Sequence, residues 1–542
     1  MMRLGVRHTC LLAAALVAAL MLACGGGGAT GAAPEPLLPA LDATYRSSGE
    51  AAAGDVVVHL FEWRWADIAR ECEVFLGPKG YAAVQISPPS EHAVITGSIN
   101  YPWWQRYQTV SYKLDNSRSG TLAEFRDMVA RCRTAGVKIY ADAVINHMTA
   151  GSGVGSAGSP YSKLSYAAVP WTSEQFHSGC GVSNYNDASN VQRCELVGLA
   201  DLRTEDDAVR NRIADYLIAL HAEGVAGFRI DAAKHMQPRD LDAIVARVNA
   251  AAQAAVVPRS LPYVFLEVIN NAGEAVTAQQ YFGVGYASGG AADVTEFQYG
   301  YRITDAFTGR NGATLATLAT LDAGLLPSDK SVVFIDNHDN QRGSNLYYAS
   351  TAGAQAPYEL AAIFMLAHPH GVPAVMSSYG FDRGTAAGRD AGPPSSVGGI
   401  TLSTFDPNGG SRCTRTLGSA QPGSWICEHR RDAIAAMPAF RRATAGAPLT
   451  GFQSLGADPN RISFARQGTG FVALNRSNAI TFSPNTTLPD GNYCNVASDL
   501  FTPAVGPVAA SCSGPSVGVA AGNATINLPA QSAVVLHVGA KL

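Results

Sequence analysis

The sequence predicts an α/β protein: a closed (β/α)8 TIM barrel, a small domain inserted after the third strand, and a C-terminal antiparallel β domain. Three observations point there. Short apolar runs rich in β-branched and aromatic residues recur over the first three quarters of the chain, as buried parallel strands do. Helix-like stretches alternate with them. Three runs, near residues 225–230, 263–269 and 331–335, deliver Asp231, Glu267 and Asp339. The C-terminal tips of barrel strands are where such a fold carries its chemistry.

The elements follow in order. Arg3, Arg7 and His8 precede an apolar run at 11–22, which has signal-peptide length and is short for a membrane span. Leu22-Ala23-Cys24-Gly25 resembles a bacterial lipoprotein cleavage box, with Met21 where leucine is usual. Acylation of Cys24 and ordinary cleavage nearby are both open readings, and residues 1–24 are set aside as a leader. Residues 25–53, mostly Gly, Ala and Pro, read as a flexible tether. Strands are expected at 56–61, 82–87 and 137–145, with helices at 65–75 and 125–135, the latter stopped by Gly136. Alternation then ceases over 149–200, a stretch rich in Gly, Ser, Tyr and Asn. Irregular segments of that length are uncommon unless functional, so it reads as an inserted domain. A helix at 206–222 and strands near Val225, Tyr263, Ala292, Val332 and Pro373 complete the barrel, assigned to 54–148 and 201–406. From 407 to 542 short alternating runs (461–466, 470–475, 524–528, 533–538) predict an antiparallel β-sandwich.

Composition narrows the class. Charged residues make up 15% of the 542, and the net charge is −4, which argues against a nucleic-acid partner needing a basic stripe. Of ten cysteines, Cys10 and Cys24 fall in the leader. The remaining even number in an exported chain suggests disulfides. Proximity favours Cys180 with Cys194, Cys413 with Cys427 and Cys494 with Cys512, leaving Cys72 with Cys132. No C-x-x-C pair occurs, which argues against zinc. Asn475, Asn485 and Asn523 head N-x-S/T triplets that a bacterial-looking leader would leave idle.

Three acids on one rim suit cleavage of a glycosidic bond: a nucleophile, a proton donor and an anion near the developing oxocarbenium charge. Arg229, two residues before Asp231 on one strand face, would keep that carboxylate ionised. Leu266 and Val268 give Glu267 an apolar setting, which raises a carboxyl pKa. The plainer alternatives are a buried Arg–Asp pair at a strand end and a satisfied structural acid.

Several segments together resemble the α-amylase family of glycoside hydrolases, in the branch with animal and similar bacterial enzymes. They are His59-Leu60-Phe61-Glu62-Trp63-Arg64-Trp65, Gln85-Ile86-Ser87-Pro88-Pro89, Trp103-Trp104-Gln105-Arg106-Tyr107-Gln108, Asp142-Ala143-Val144-Ile145-Asn146-His147, 227–235, Leu266-Glu267-Val268-Ile269, 334–342 and Val375-Met376-Ser377-Ser378-Tyr379. The resemblance runs from about Val56 to the C-terminus. It implies Asp231 as nucleophile, Glu267 as general acid and then base, and Asp339 as transition-state stabiliser. Trp103, Trp104, Tyr107, Gln108, His147, Arg229, Lys234, His235 and His338 would contact sugar. Asn146, Asp201 and the backbone carbonyls of Gln192 and His235 would hold one calcium ion, clamping the insert over the cleft.

The family pattern is incomplete in places. Animal relatives hold an activating chloride with two arginines and an asparagine. Arg229 and Asn337 are present, but Ala374, preceded by Pro373, stands at the second arginine's place, which implies activity without chloride. Asp115 and Thr149 occupy the neighbourhoods of a cysteine pair, and Gly343-Ser344-Asn345 matches only part of a Gly-rich loop. The implied activity is endo-hydrolysis of α-1,4 bonds in starch, glycogen and maltooligosaccharides by an exported monomer, secreted or lipid-anchored through Cys24. The alternatives are an exo-acting maltooligosaccharide-forming enzyme, a transglycosylase, or a non-catalytic glycan-binding relative.

Overall fold

The computed structural model describes residues 41, 45–257, 259–348, 355–413 and 423–542. The leader, with Cys10 and Cys24, and most of the tether lie outside the described residues.

Eight parallel strands close a barrel: β1 (Val57–Leu60), β2 (Ala83–Ile86), β3 (Lys138–Ala143), β4 (Gly227–Ile230), β5 (Tyr263–Leu266), β6 (Ala292–Thr295), β7 (Ser331–Val333) and β8 (Val372–Ser377), with β1 hydrogen-bonded to both β2 and β8. Period-two alternation sorts their side chains. Val57, Ala83, Tyr140, Tyr263, Phe265, Val332, Val372 and Ala374 fill the interior, while Val58, Val84, Ile139, Phe228, Val264 and Val333 face the helical layer. Gly227 is needed because a Cβ there would meet the Tyr263 carbonyl at 2.5 Å and the Tyr140 ring at 2.7 Å.

Helices α1 (Trp65–Glu71), α2 (Leu122–Thr134), α3 (Asp207–Ala222), α4 (Pro238–Ala254), α5 (Phe297–Thr308) and α6 (Gln355–Ala367) wrap the barrel. In α2 the sequence shows why: Thr121 and Glu124 form a reciprocal capping box, and Phe125, Met128, Val129 and Cys132 make the buried stripe. Cys132 bonds Cys72, fastening α2 to the wide turn that follows α1. Cys180–Cys194, Cys413–Cys427 and Cys494–Cys512 are also bonded.

Two boundaries differ from the sequence reading. The tether expected to reach residue 53 gives way earlier to an ordered strap beneath the barrel. The Lys330 ammonium lies 4.8 Å over the Tyr45 ring, and Ser48 donates to Asp293 at 2.6 Å. The Tyr45 ring also meets Phe282 edge-on at 5.4 Å and Arg46 lies 5.4 Å over the Tyr286 ring, anchors that composition does not show. The change of texture at 407 also precedes the first β-domain strand. Short helices come first, among them α7 (Met437–Ala443), which packs on α6. The antiparallel sheet then runs β9 (Leu449–Leu455), β10 (Asp458–Arg466), β11 (Gly470–Asn475) and β12 (Ser532–His537) in that spatial order. On β11, Val472 and Leu474 join the main core while Phe471 and Ala473 join a second cluster, so this sheet is covered on both faces. In the insert, residues 152–154 and 160–162 form a small hairpin, and a one-and-a-half-turn helix, Ala188–Arg193, precedes Cys194.

Candidate active site

Alternation along the strands aims the acids. On β4, Phe228 and Ile230 face outward, so Gly227, Arg229 and then Asp231 fall on the inner side. On β5, Tyr263 and Phe265 lie inside and Glu267 comes next in that series; on β3, Asp142 follows Tyr140. The register pairs Arg229 with Asp142 on one side and with Phe265 on the other. Ile230 pairs with Leu266, which leaves Asp231 and Glu267 side by side just past the strand ends.

One guanidinium gathers the carboxylates. Arg229 Nη1 donates to Asp142 Oδ1 at 2.7 Å and to Asp231 Oδ1 at 2.6 Å, while Nη2 lies 2.5 Å from Glu267 Oε1. The Ala232 amide donates to Glu267 Oε2 at 2.8 Å, and the Tyr107 hydroxyl donates to Asp142 Oδ2 at 2.9 Å. Ala232 makes its bond from a left-handed conformation, φ 49° and ψ 31°. Burial alone would lower the Arg229 pKa, but Asp142, Glu267 and Asp231 outweigh it and hold the cation well above its ordinary value. Burial pushes Asp142 up to about 7, with Arg229 opposing. It raises Asp231 as well, again against Arg229. Glu267 is raised by burial and by the Asp231 charge, with Arg229 opposing.

Asp339 enters from the far side, past β7. The Asn337 side-chain oxygen accepts the amides of Asp339 at 3.0 Å and Asn340 at 2.8 Å, which folds this turn. His338 stacks flat on Tyr107, with centroids 4.9 Å apart and planes 2° apart, and its Nε2 lies 3.3 Å from Asp339 Oδ2. The Asp339 side chain is 46% exposed, open to the cleft. The protein walls around it, then the Glu267 charge, raise its pKa, and a substrate filling the cleft would complete that burial.

The other expected residues divide. Trp103 and Tyr107 sit on a one-turn helix, Trp103–Tyr107, whose Trp104 is half-buried. Arg106 braces that turn from below through Glu62 at 3.0 Å, Ser119 at 2.8 Å and the Pro88 carbonyl at 3.2 Å. Gln108 Oε1 accepts from Thr149 at 2.9 Å. His147, expected to read sugar hydroxyls, has both ring nitrogens engaged by protein: the Tyr107 carbonyl at 3.0 Å and the Asn146 amide at 3.3 Å. Lys234 donates to the Ile269 carbonyl at 2.6 Å, pairs with Glu274 and lies 5.0 Å over the Tyr185 ring. His235 donates to the Val191 carbonyl at 2.8 Å, and Gln192 Nε2 reaches the Met236 carbonyl at 3.3 Å. These bonds seat the insert helix on the turn that follows Asp231.

Asn146 and Asp201 are brought together because residues 147–148 pair antiparallel with 200–201. Asn146 Nδ2 lies 3.4 Å from Asp201 Oδ1, and Asn146 Oδ1 is buried without a hydrogen-bond partner among the described residues. An orphaned amide oxygen beside a buried carboxylate suits a hard cation. Burial raises Asp201 to about 7, opposed by His177, whose Nδ1 is 2.7 Å away. The carbonyls expected to complete the site belong to the insert helix and the His235 turn just described, and the oxygens of Asn146 and Asp201 are of the hard type that calcium takes.

Beneath the acids a cavity of about 30 Å³, room for a water or two, is lined in part by Arg229, Asn337, Glu267 and Ala374. Sequence reasoning missed Asp142, although it opens a quoted segment and its strand-face position could have shown it. It also missed Tyr185 and Glu274, which lie in irregular stretches with no periodic signal to mark them.

Comparison with known proteins fits this geometry. The family described as the α-amylase catalytic domain matches residues 87–380, and the α-amylase C-terminal all-β domain matches residues 455–539. An α-amylase of Thermomonospora curvata is 47% identical over 495 residues, covering 90% of this chain and 74% of that one. An α-amylase of the beetle Tribolium castaneum is 44% identical over 504 residues, covering 91% and 96%. Among solved structures, a mutant α-amylase I of Eisenia fetida in complex with maltohexaose superposes with a TM-score of 0.78 at 37% identity, covering 89% of this chain and 97% of that one.

Proposed function

The chain belongs to the α-amylase family of glycoside hydrolases, and from that premise we propose that it hydrolyses internal α-1,4-glucosidic bonds of starch and glycogen with retention of configuration. The observation that carries the proposal is the single guanidinium of Arg229 bonded to both Asp231 and Glu267. A nucleophile and an acid that share one guanidinium are held near each other, which favours the closer carboxyl spacing of a retaining double displacement over the wider one of inversion.

In the first step an Asp231 oxygen attacks the anomeric carbon, and Glu267 gives its proton to the departing glycosidic oxygen. A covalent glycosyl–Asp231 ester results. In the second step Glu267, now a carboxylate, takes a proton from water; the hydroxyl adds to the anomeric carbon and Asp231 leaves as the carboxylate. Burial and the Asp231 charge raise the Glu267 carboxyl, which favours its proton for the first step, and Arg229 favours the ionised form of Asp231 against the burial that raises it. Asp339 stabilises the oxocarbenium charge from the open side. Trp103 and Tyr107 offer flat faces to glucose rings, and Lys234 lines the leaving-group side.

Asn146, Asp201 and the carbonyls of Gln192 and His235 would hold calcium, which when bound supplies charge neutralisation and rigidity between insert and barrel. Among the described residues Arg229, already engaged by three carboxylates, is the one arginine or lysine lining the cavity where a second cation would be needed to hold chloride, so we infer activity without that ion. Four disulfides support an exported, oxidised setting.

A reducing-sugar assay on soluble starch tests the reading. Wild type releases a spread of oligosaccharide lengths early, and chelator lowers both rate and melting temperature until calcium is restored. Asp231→Asn keeps the fold and loses roughly 10⁴-fold or more in kcat. Survival of most activity in that variant would remove the nucleophile assignment.

A further inference from the structure

Arg342 belongs to the loop that carries Asp339 and has no part in the mechanism above, yet it is 7% exposed and surrounded on all sides. Its Nε donates to the Arg389 carbonyl at 2.9 Å, Nη1 to the His338 carbonyl, and Nη2 to the Tyr379 hydroxyl at 2.9 Å. Four aromatic rings cluster around the same guanidinium. Trp103 and Phe381 are each 4.4 Å from it, Phe61 is at 5.6 Å and Tyr379 at 5.8 Å.

The partners belong to different walls of the cleft. The His338 carbonyl is one peptide unit from Asp339. Trp103 lies on the 103–107 turn, and its indole nitrogen donates to the same Arg389 carbonyl at 3.1 Å. Phe61 follows β1, and Tyr379 follows β8. A flat cation with donors in a fixed fork satisfies three acceptors while lying against rings; an ammonium is a point charge and cannot do both.

We propose that Arg342 is a positioning residue that locks the Asp339 turn to the Trp103 platform, so that a glucose ring stacked on the platform meets the stabilising carboxylate at a set distance. The inference rests on the hydrolytic reading of the site. Arg342 bonds none of the three acids; it acts through the His338 backbone and the Trp103 ring. Misplacing a catalytic group by about 1 Å costs on the order of 100-fold in rate.

The test compares wild type, Arg342→Lys and Tyr379→Phe on soluble starch and on maltohexaose, with melting temperatures recorded alongside. The wild-type rate is read first, so failure of the hydrolytic reading shows itself separately. Arg342→Lys keeps the charge and should lower kcat about 10- to 100-fold, with a rise in KM as the platform loosens. Tyr379→Phe removes one acceptor of Arg342, together with the hydroxyl's own donation to the Ala391 carbonyl at 2.8 Å, and no charge. It should cost several-fold in kcat with the melting temperature little changed, which a merely structural role would not produce. Wild-type kcat in both variants would overturn the proposal. So would losses of rate that vanish when each variant is assayed well below its own melting temperature.

Discussion

Among the places where the molecule buries arginines, the rim of the barrel and its junction with the β domain use them differently. At the rim Arg229 meets three carboxylates, Asp142, Asp231 and Glu267. At the junction of barrel and β domain, Arg441 and Arg466 meet carbonyl oxygens. Arg441 donates to His368 at 2.7 Å and Gly371 at 2.5 Å; Arg466 donates to Ala367 at 2.9 Å, Thr444 at 2.8 Å and Ala447 at 2.9 Å. Three of those carbonyls lie at or just past the C-terminus of α6, where a helix leaves acceptors without partners. Burial lowers the pKa of both junction arginines to about 10, whereas the rim carboxylates hold Arg229 well above its ordinary value. Carbonyl dipoles satisfy a buried cation without titrating. Carboxylates crowded on one cation outnumber it, and the Asp231 charge adds to burial in raising the Glu267 carboxyl. Identical side chains, equally buried, thus mark a seam in one case and chemistry in the other.

The contrast is sharpest on replacement. Arg229→Gln should cut kcat on the order of 100- to 1000-fold while leaving the barrel folded. The pH profile should move as well. Arg229 opposes the raised pKa of both Asp231 and Glu267, so its loss raises both further. The acid limb, set by ionisation of Asp231, and the alkaline limb, set by proton loss from Glu267, should both shift to higher pH. Unmoved limbs in a pH–rate series would show that Arg229 is not their common partner.

Arg441→Met should do the reverse. Leaving buried carbonyls unmatched costs about 2–3 kcal/mol, readable as an earlier urea midpoint, while kcat/KM at 25 °C stays near wild type. A large activity loss at unchanged stability would erase the distinction between the two sites. The smallest expected effect is that of chloride. Enzyme dialysed into acetate and assayed at matched ionic strength should change by less than about twofold on adding chloride, because one cation already paired with carboxylates binds a free anion weakly. A many-fold activation would place a second cation in the cavity beside Ala374.

Much of this was readable beforehand because barrel strands report themselves twice, as apolar runs and by what stands at their tips. Asp231 and Glu267 were visible for that reason, and the period of two that aims them is a property of any strand. The cysteine pairs followed from nearness along the chain in three cases and from elimination in the fourth. What the sequence concealed depends on contacts between distant segments. The strap at residues 45–53 is held by Tyr45 and Ser48 amid residues that spell a linker. The occupation of His147 Nε2 depends on a carbonyl 40 positions away. The late start of the β domain reflects helices that exist because α6 offers them a surface, a tertiary influence that local pattern does not register.

Ala232 sets a limit on how this cleft could be altered by evolution or by the engineer. Its amide reaches Glu267 only because the backbone turns left-handed immediately after the nucleophile. A side chain branched at the β carbon is a steric outlier in that conformation. A library randomised at this codon should therefore return active clones carrying alanine, glycine or asparagine, and almost no valine, isoleucine or threonine.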